Sequence, residues 1–104
     1  MKNDKCYEIA LVMQNHIGKK NAITSTKLAE SIGCPLSEGN PTIRRLIKAT
    51  CEQYNLPIVA DKYGYYVAET ADEIRDYSQN ILSRIADMQH NLLIITNNFY
   101  RNKR

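Results

Sequence analysis

Apolar residues recur with a helical period in four stretches of the chain and gather into β-prone runs in only a few short ones, so the pattern predicts helices around a small hairpin. From Asp4 to Ile17, the residues Tyr7, Ile9, Ala10, Met13 and Ile17 share a face and Gly18 follows, which predicts a first helix ended by its glycine. Ala22-Ile23-Thr24 is expected as a short edge strand. Thr24, Ser25 and Thr26 are all competent caps for a brief second helix, Lys27 to Ile32, that turns Leu28, Ala29 and Ile32 inward and stops at Gly33. A string rich in turn formers, Cys34 to Gly39, leads to Asn40-Pro41, where a cap precedes a proline at the first position of a third helix. In that helix Ile43, Leu46, Ile47, Thr50 and Tyr54 fall on one side, Arg45 and Lys48 point away from it, and Thr42 and Arg44 stand on the flanks. Asn55 is expected to end it, because Leu56-Pro57 begins an extended segment.

Two runs, Pro57 to Ala60 and Tyr65 to Ala68, joined by the turn string Asp61-Lys62-Tyr63-Gly64, predict a β-hairpin. Thr70 followed three residues later by Glu73 is a capping box, so a helix should start at once. From Ala71 to about Tyr100 no glycine or proline interrupts it, which at the helical rise gives a rod about 45 Å long. Along it Ile74, Ser78, Ile81, Ile85, Met88, Leu92, Ile95 and Phe99 alternate steps of four and three, the seam of a coiled coil with one polar member. Leu82, Leu93 and Ile94 lie off that seam and broaden the apolar face, which leaves a tetramer or an antiparallel arrangement open beside the simplest expectation, a homodimer. Arg101 to Arg104 is expected as a basic tail.

The order helix, short strand, helix, turn, helix, hairpin resembles the winged helix-turn-helix superfamily over about residues 4 to 69. Ile23-Thr24-Ser25-Thr26-Lys27-Leu28-Ala29-Glu30-Ser31-Ile32-Gly33 resembles its second-helix string, and Pro41-Thr42-Ile43-Arg44-Arg45-Leu46-Ile47 the start of a recognition helix. The hairpin ending in Tyr63-Gly64-Tyr65-Tyr66-Val67-Ala68-Glu69 is similar to wings in small proteins of bacteriophages and mobile elements. The connection from Gly33 to Asn40 is longer than the tight turn of the simplest helix-turn-helix, so the pattern leaves the angle of the third helix open. The resemblance implies an α+β, mainly helical chain: a winged helix-turn-helix domain at 4–69, a long oligomerisation helix at 70–100 and a basic tail at 101–104.

It also implies double-stranded DNA as a partner, in transcription control or in replication and packaging of phage-type DNA. On the third helix, Thr42, Arg44, Arg45 and Lys48 are then the candidates for base edges and phosphates, with Arg45 first for a base contact. Lys62 and Tyr63 would sit at the wing tip, whereas Tyr65 and Tyr66 read better as packed strand residues. Lys19, Lys20, Ser25, Thr26 and Lys27 gather around the start of the second helix, where backbone amides suit a phosphate. Ile81, Ile85, Met88, Leu92, Ile95 and Phe99 would carry self-association. The alternative is a winged-helix module that grips a host protein.

Charge adds little to this picture. The 104 residues carry a formal +3, which permits an anionic partner without demanding one. Cys6, Cys34 and Cys51 form an odd set without a close pair, so neither a disulfide framework nor a zinc site is expected, and His16 and His90 bring no local partner. No phosphate loop, zinc-protease motif or nucleophile elbow occurs, so neither an enzyme nor a cofactor is expected. No apolar run reaches the roughly 18 residues of a membrane span. Met1 to Asp4 leads into an amphipathic stretch, so a cytoplasmic protein without a membrane partner is expected.

Overall fold

The computed structural model describes residues 4–34 and 39–102. Its elements run α1 (Asp4–Met13), a 3-10 turn (Lys19–Asn21), α2 (Ser25–Ser31), α3 (Gly39–Tyr54), β1 (Ile58–Asp61), β2 (Gly64–Val67) and α4 (Ala71–Asn102). The chain is mainly helical, with one small antiparallel sheet and a long C-terminal helix. It divides into two compact units, the first ending at Ile74 and the second beginning at Arg75.

Helix α1 stops at Met13, four residues short of the expected end at Ile17. The backbone that follows is taken by the hairpin: Val67 N donates to His16 O at 2.8 Å, and Gly18 N donates to Val67 O at 2.8 Å. Ile17 therefore bridges to β2 instead of completing the helical face, and it is exposed, as is Tyr7. The buried stripe of α1 is Cys6, Ile9 and Met13, still at helical spacing, and it packs chiefly on α3.

Thr24 is the residue that caps α2, its Oγ1 accepting from Lys27 N at 3.2 Å. The other end is a glycine-closed turn of the Schellman type: Gly33 has φ 66, Cys34 N donates to Ala29 O at 2.9 Å, and Gly33 N donates to Glu30 O at 3.2 Å. Lys5 reaches across from α1 to donate to Ile32 O, satisfying one more terminal carbonyl. The turn string expected after Cys34 falls mostly on 35–38, outside the described residues.

Helix α3 begins at Gly39, ahead of the expected start at Pro41; proline is tolerated there because the first turn needs no N–H. Its inward side is as the spacing predicts, with Ile43, Ile47 and Thr50 buried and Leu46 and Tyr54 half-buried. Thr50, the one buried polar side chain among the described residues, is satisfied within the helix by donating to Leu46 O at 2.7 Å. Asn55 ends α3 in the left-handed region at φ 55.

The hairpin pairs Ile58 with Val67, Val59 with Tyr66, Ala60 with Tyr65 and Asp61 with Gly64, leaving Lys62 and Tyr63 as a two-residue tip, one residue tighter at each side than the turn string suggested. On its other edge β2 meets Ile23, with Ile23 N to Tyr65 O at 2.8 Å and Tyr65 N to Ile23 O at 2.7 Å. The expected edge strand at Ala22-Ile23-Thr24 is thus a single bridge. Gly64 is fixed by this contact: its φ is 130, and a Cβ there would lie 2.2 Å from Ile23 O.

Ile9, Met13, Leu28, Ile43, Ile47 and Ile58 form one core fed by three helices and the hairpin, each buried side chain contributing about 1.5–3 kcal/mol. Tyr66 is buried and Tyr65 packs against that core, in line with a structural role for both. No disulfide joins the three cysteines; Cys6 and Cys34 are buried. Helix α4 continues two residues beyond the expected end, so Arg101 and Asn102 are helical, while Lys103 and Arg104 lie outside the described residues. No residue of α4 is buried, and no described helix is long and apolar enough to cross a membrane.

Candidate nucleic-acid interface

The burial of Ile43 and Ile47 fixes the rotation of α3 about its axis, and with it the direction of the basic residues. Arg44, Arg45 and Lys48 are exposed, and Thr42 is half-buried on the flank. Glu52, four residues beyond Lys48, is exposed too, so the exposed cations are confined to positions 44–48 in the middle of the helix.

Three elements converge on one side of this stretch. A cleft of about 380 Å³ is lined by Thr24 and Ser25 from the start of α2, by Arg44 from α3, and by Ala60 to Tyr65 of the hairpin. Of the residues singled out by sequence, the fold thus brings together Ser25, Arg44, Lys62 and Tyr63. Arg45 and Lys48 are not among the lining residues; they stand on the open surface of α3. At the hairpin tip Lys62 Nζ lies 5.1 Å from the centroid of the Tyr63 ring, a cation–π contact that holds the two exposed side chains together.

Lys19 and Lys20 lie elsewhere. With Ala22, Tyr63 and Glu73 they border a second recess, and Tyr63 is the wall common to both. Glu73 Oε2 accepts from Lys19 N at 2.8 Å, while its Oε1 accepts from Glu69 N at 2.7 Å and Thr70 N at 3.4 Å. The hydrogen bond from Glu69 N, then that from Lys19 N, hold the Glu73 carboxyl below the ordinary carboxylate range; the weaker bond from Thr70 N and the Lys19 charge add to this, against slight desolvation. An anion so placed counters the two lysines, which weakens the pull of this recess on a phosphate. Thr26 and Lys27 are exposed on α2, and the Lys27 amide is already occupied by Thr24. The start of this seven-residue helix therefore has fewer open amides than its cap-rich sequence suggests.

Thr24 and Asp61 also line the cleft, although neither was among the DNA-contact candidates of the sequence. Thr24 borders it while capping α2, and Asp61 turns Oδ1 to Tyr63 N at 2.8 Å, bracing the tip. The position of Asp61 at the head of a turn string ending in glycine was the signal for that brace. Asp61 Oδ2 is buried without a hydrogen-bond partner, so the residue brings an acidic side chain into the lining beside Arg44 and Lys62.

On α4, Ile85, Met88, Leu92, Ile95 and Phe99 are exposed, and Ile81 is half-buried. Among the described residues no cluster of histidine, cysteine or acidic side chains could hold a metal ion. Compared with protein-family models, with characterised proteins and with solved structures, the chain finds no match.

Proposed function

We propose that the chain is a winged helix-turn-helix protein that binds double-stranded DNA and self-associates through its last helix, acting in transcription control or in the replication or packaging of phage-type DNA. The observation that carries this reading is the convergence of Ser25, Arg44, Lys62 and Tyr63, from three elements, on one cleft beside the exposed Arg45 and Lys48. Arginine and lysine on an exposed helix reach guanine edges and phosphates in a major groove, and a cationic hairpin tip follows the adjoining backbone. Arg44 holds the cleft side and Arg45 the open side, so the two divide between phosphate and base. Two copies joined through the last helix would present two such faces to half-sites about 34 Å apart.

The test is a binding series of the full chain against random-sequence duplex at increasing salt. Affinity is expected to fall linearly on logarithmic axes, and Arg44→Glu and Lys62→Glu each to weaken binding at least tenfold, with a shallower salt slope by about 0.9 per lost phosphate contact. No duplex binding at low salt, with neither substitution having any effect, would overturn the reading.

Asp61 favours a second reading. Asp61 sets an acidic side chain beside Arg44 and Lys62 in the cleft lining, which offsets their pull on a phosphate, so the same surface could instead grip a host protein. A stoichiometric host protein retained by the chain after nuclease treatment, and lost in Arg44→Glu, would select this reading.

A further inference from the structure

Helix α4 carries two apolar seams, and we infer that it assembles four copies of the chain into a four-helix bundle. The inference rests on the self-association clause of the proposed function and is independent of DNA binding. The first seam is Ile81, Ile85, Met88, Leu92, Ile95 and Phe99. The second is displaced from it by one residue throughout: Leu82, Ala86, Gln89, Leu93, Thr96 and Tyr100, again in alternating steps of four and three. Its large members are open to solvent, Leu82 at 63 %, Leu93 at 57 % and Tyr100 at 68 %.

A heptad seam is matched by another helix with the same repeat, because each knob must enter a hole of four residues. The chain's own helix is such a partner. One residue on a helix is about 100° of rotation, so the two seams face neighbours set about 100° apart. At each helix of a closed bundle that angle is about 60° for three members and about 90° for four, so the second seam fits the corner of a four-membered assembly. The charges agree: within 82–102 Asp87 and Arg101 project on the side away from both seams, Arg84 flanks the first seam on the edge remote from the second, and no charged residue occurs between Met88 and Tyr100. Four such helices meet without burying a charge.

Side-chain shape gives an independent reason. With Ile85, Leu92 and Phe99 at the a positions, the d positions hold Ile81, Met88 and Ile95. Leucine at a with isoleucine at d, the layer made by Leu92 and Ile95, favours bundles larger than two, whereas a parallel dimer favours the reverse. The first seam is apolar throughout and the second includes Gln89 and Thr96, so pairs form through the first and two pairs join through the second.

Light scattering and sedimentation equilibrium on the full chain test this, with far-ultraviolet circular dichroism confirming that each variant is folded. The wild-type mass is expected to be about four times the 11.9 kDa of one chain. Leu93→Glu should halve that mass, and the milder Leu82→Gln, Leu93→Gln pair should shift the same equilibrium toward two chains. Leu92→Glu should give single chains, while Ile94→Glu, which the heptad places on the side of Asp87 and Arg101 rather than in either seam, should leave four. A wild-type mass of two chains, an unchanged or single-chain mass for Leu93→Glu, or dissociation by Ile94→Glu would overturn the two-seam arrangement. If Leu92→Glu also left the wild-type mass unchanged, self-association through α4 would fall as well, whereas DNA binding is read separately by the salt series.

Discussion

The two units of this chain treat apolar side chains in opposite ways. Through Ile74 the isoleucines and leucines mostly close on one another, so that Ile9, Leu28, Ile43 and Ile47 are hidden within a single chain. From Arg75 onward a comparable set, including Ile85, Leu92 and Ile95, remains open to water. The contrast separates stability that one chain supplies from stability that, under the proposed self-association, another copy would supply. The first is insensitive to concentration and the second follows mass action.

The sharpest way to break the self-contained half is at the hairpin. Gly64→Ala places a Cβ against Ile23 O and keeps a residue with a side chain at φ 130, so the Ile23–Tyr65 bridge must open. Backbone strain of about 1–3 kcal/mol and two hydrogen bonds of about 1 kcal/mol each are at stake, which denaturant unfolding would register as about 3–5 kcal/mol. A smaller effect sharpens the comparison itself. Leu28→Ala should cost about 3 kcal/mol at every protein concentration, because its cavity lies within one chain. Ile95→Ala should lower the melting temperature by an amount that grows on dilution and vanishes once the chains have separated. Equal behaviour of the two variants in a concentration series would erase the distinction.

The smallest effect concerns Glu73. Its folded pKa is depressed, so its contribution is fully present above the ordinary glutamate range and is lost as pH falls through that range toward the folded value. Glu73→Gln keeps a neutral acceptor but loses the charge and the bond from Lys19 N. Wild type should be slightly the more stable at neutral pH, and the difference should close on acidification into the range where a free glutamate protonates. A gap that stayed constant down to pH 3 would show that the carboxylate charge is not what matters.

Local chemistry made most of the elements legible. Gly33, Asn55 and the Thr70–Glu73 box each mark a boundary through bonds made within a few residues and stand where the pattern places them, whereas the start of α2, for which the pattern offers three caps, falls at Ser25, two residues ahead of the expected Lys27. The inward face of α3 was legible for the same reason, since Ile43, Ile47 and Thr50 repeat at helical steps. What the pattern missed depends on distant partners. Ile17 completes the α1 stripe on paper, but Val67, fifty residues away, takes the backbone beside it. Glu73 was legible as a cap and not as the acceptor for Lys19, because no spacing rule connects positions so far apart. In the candidate interface the basic residues of α3 were legible one by one. Their meeting with the hairpin tip, and the entry of Asp61 among them, required the tertiary arrangement.

The placement of β2 has a further consequence. Its peptide groups are engaged on both flanks, by β1 on one and by the bridges at Ile17 and Ile23 on the other. A strand with both rims occupied offers no template for intermolecular ladder growth, the usual route by which small β-containing proteins coagulate. Encounters between copies along β2 therefore find no open peptide groups to pair with, and any ladder growth would have to start from the outer edge of β1, which neither bridge reaches.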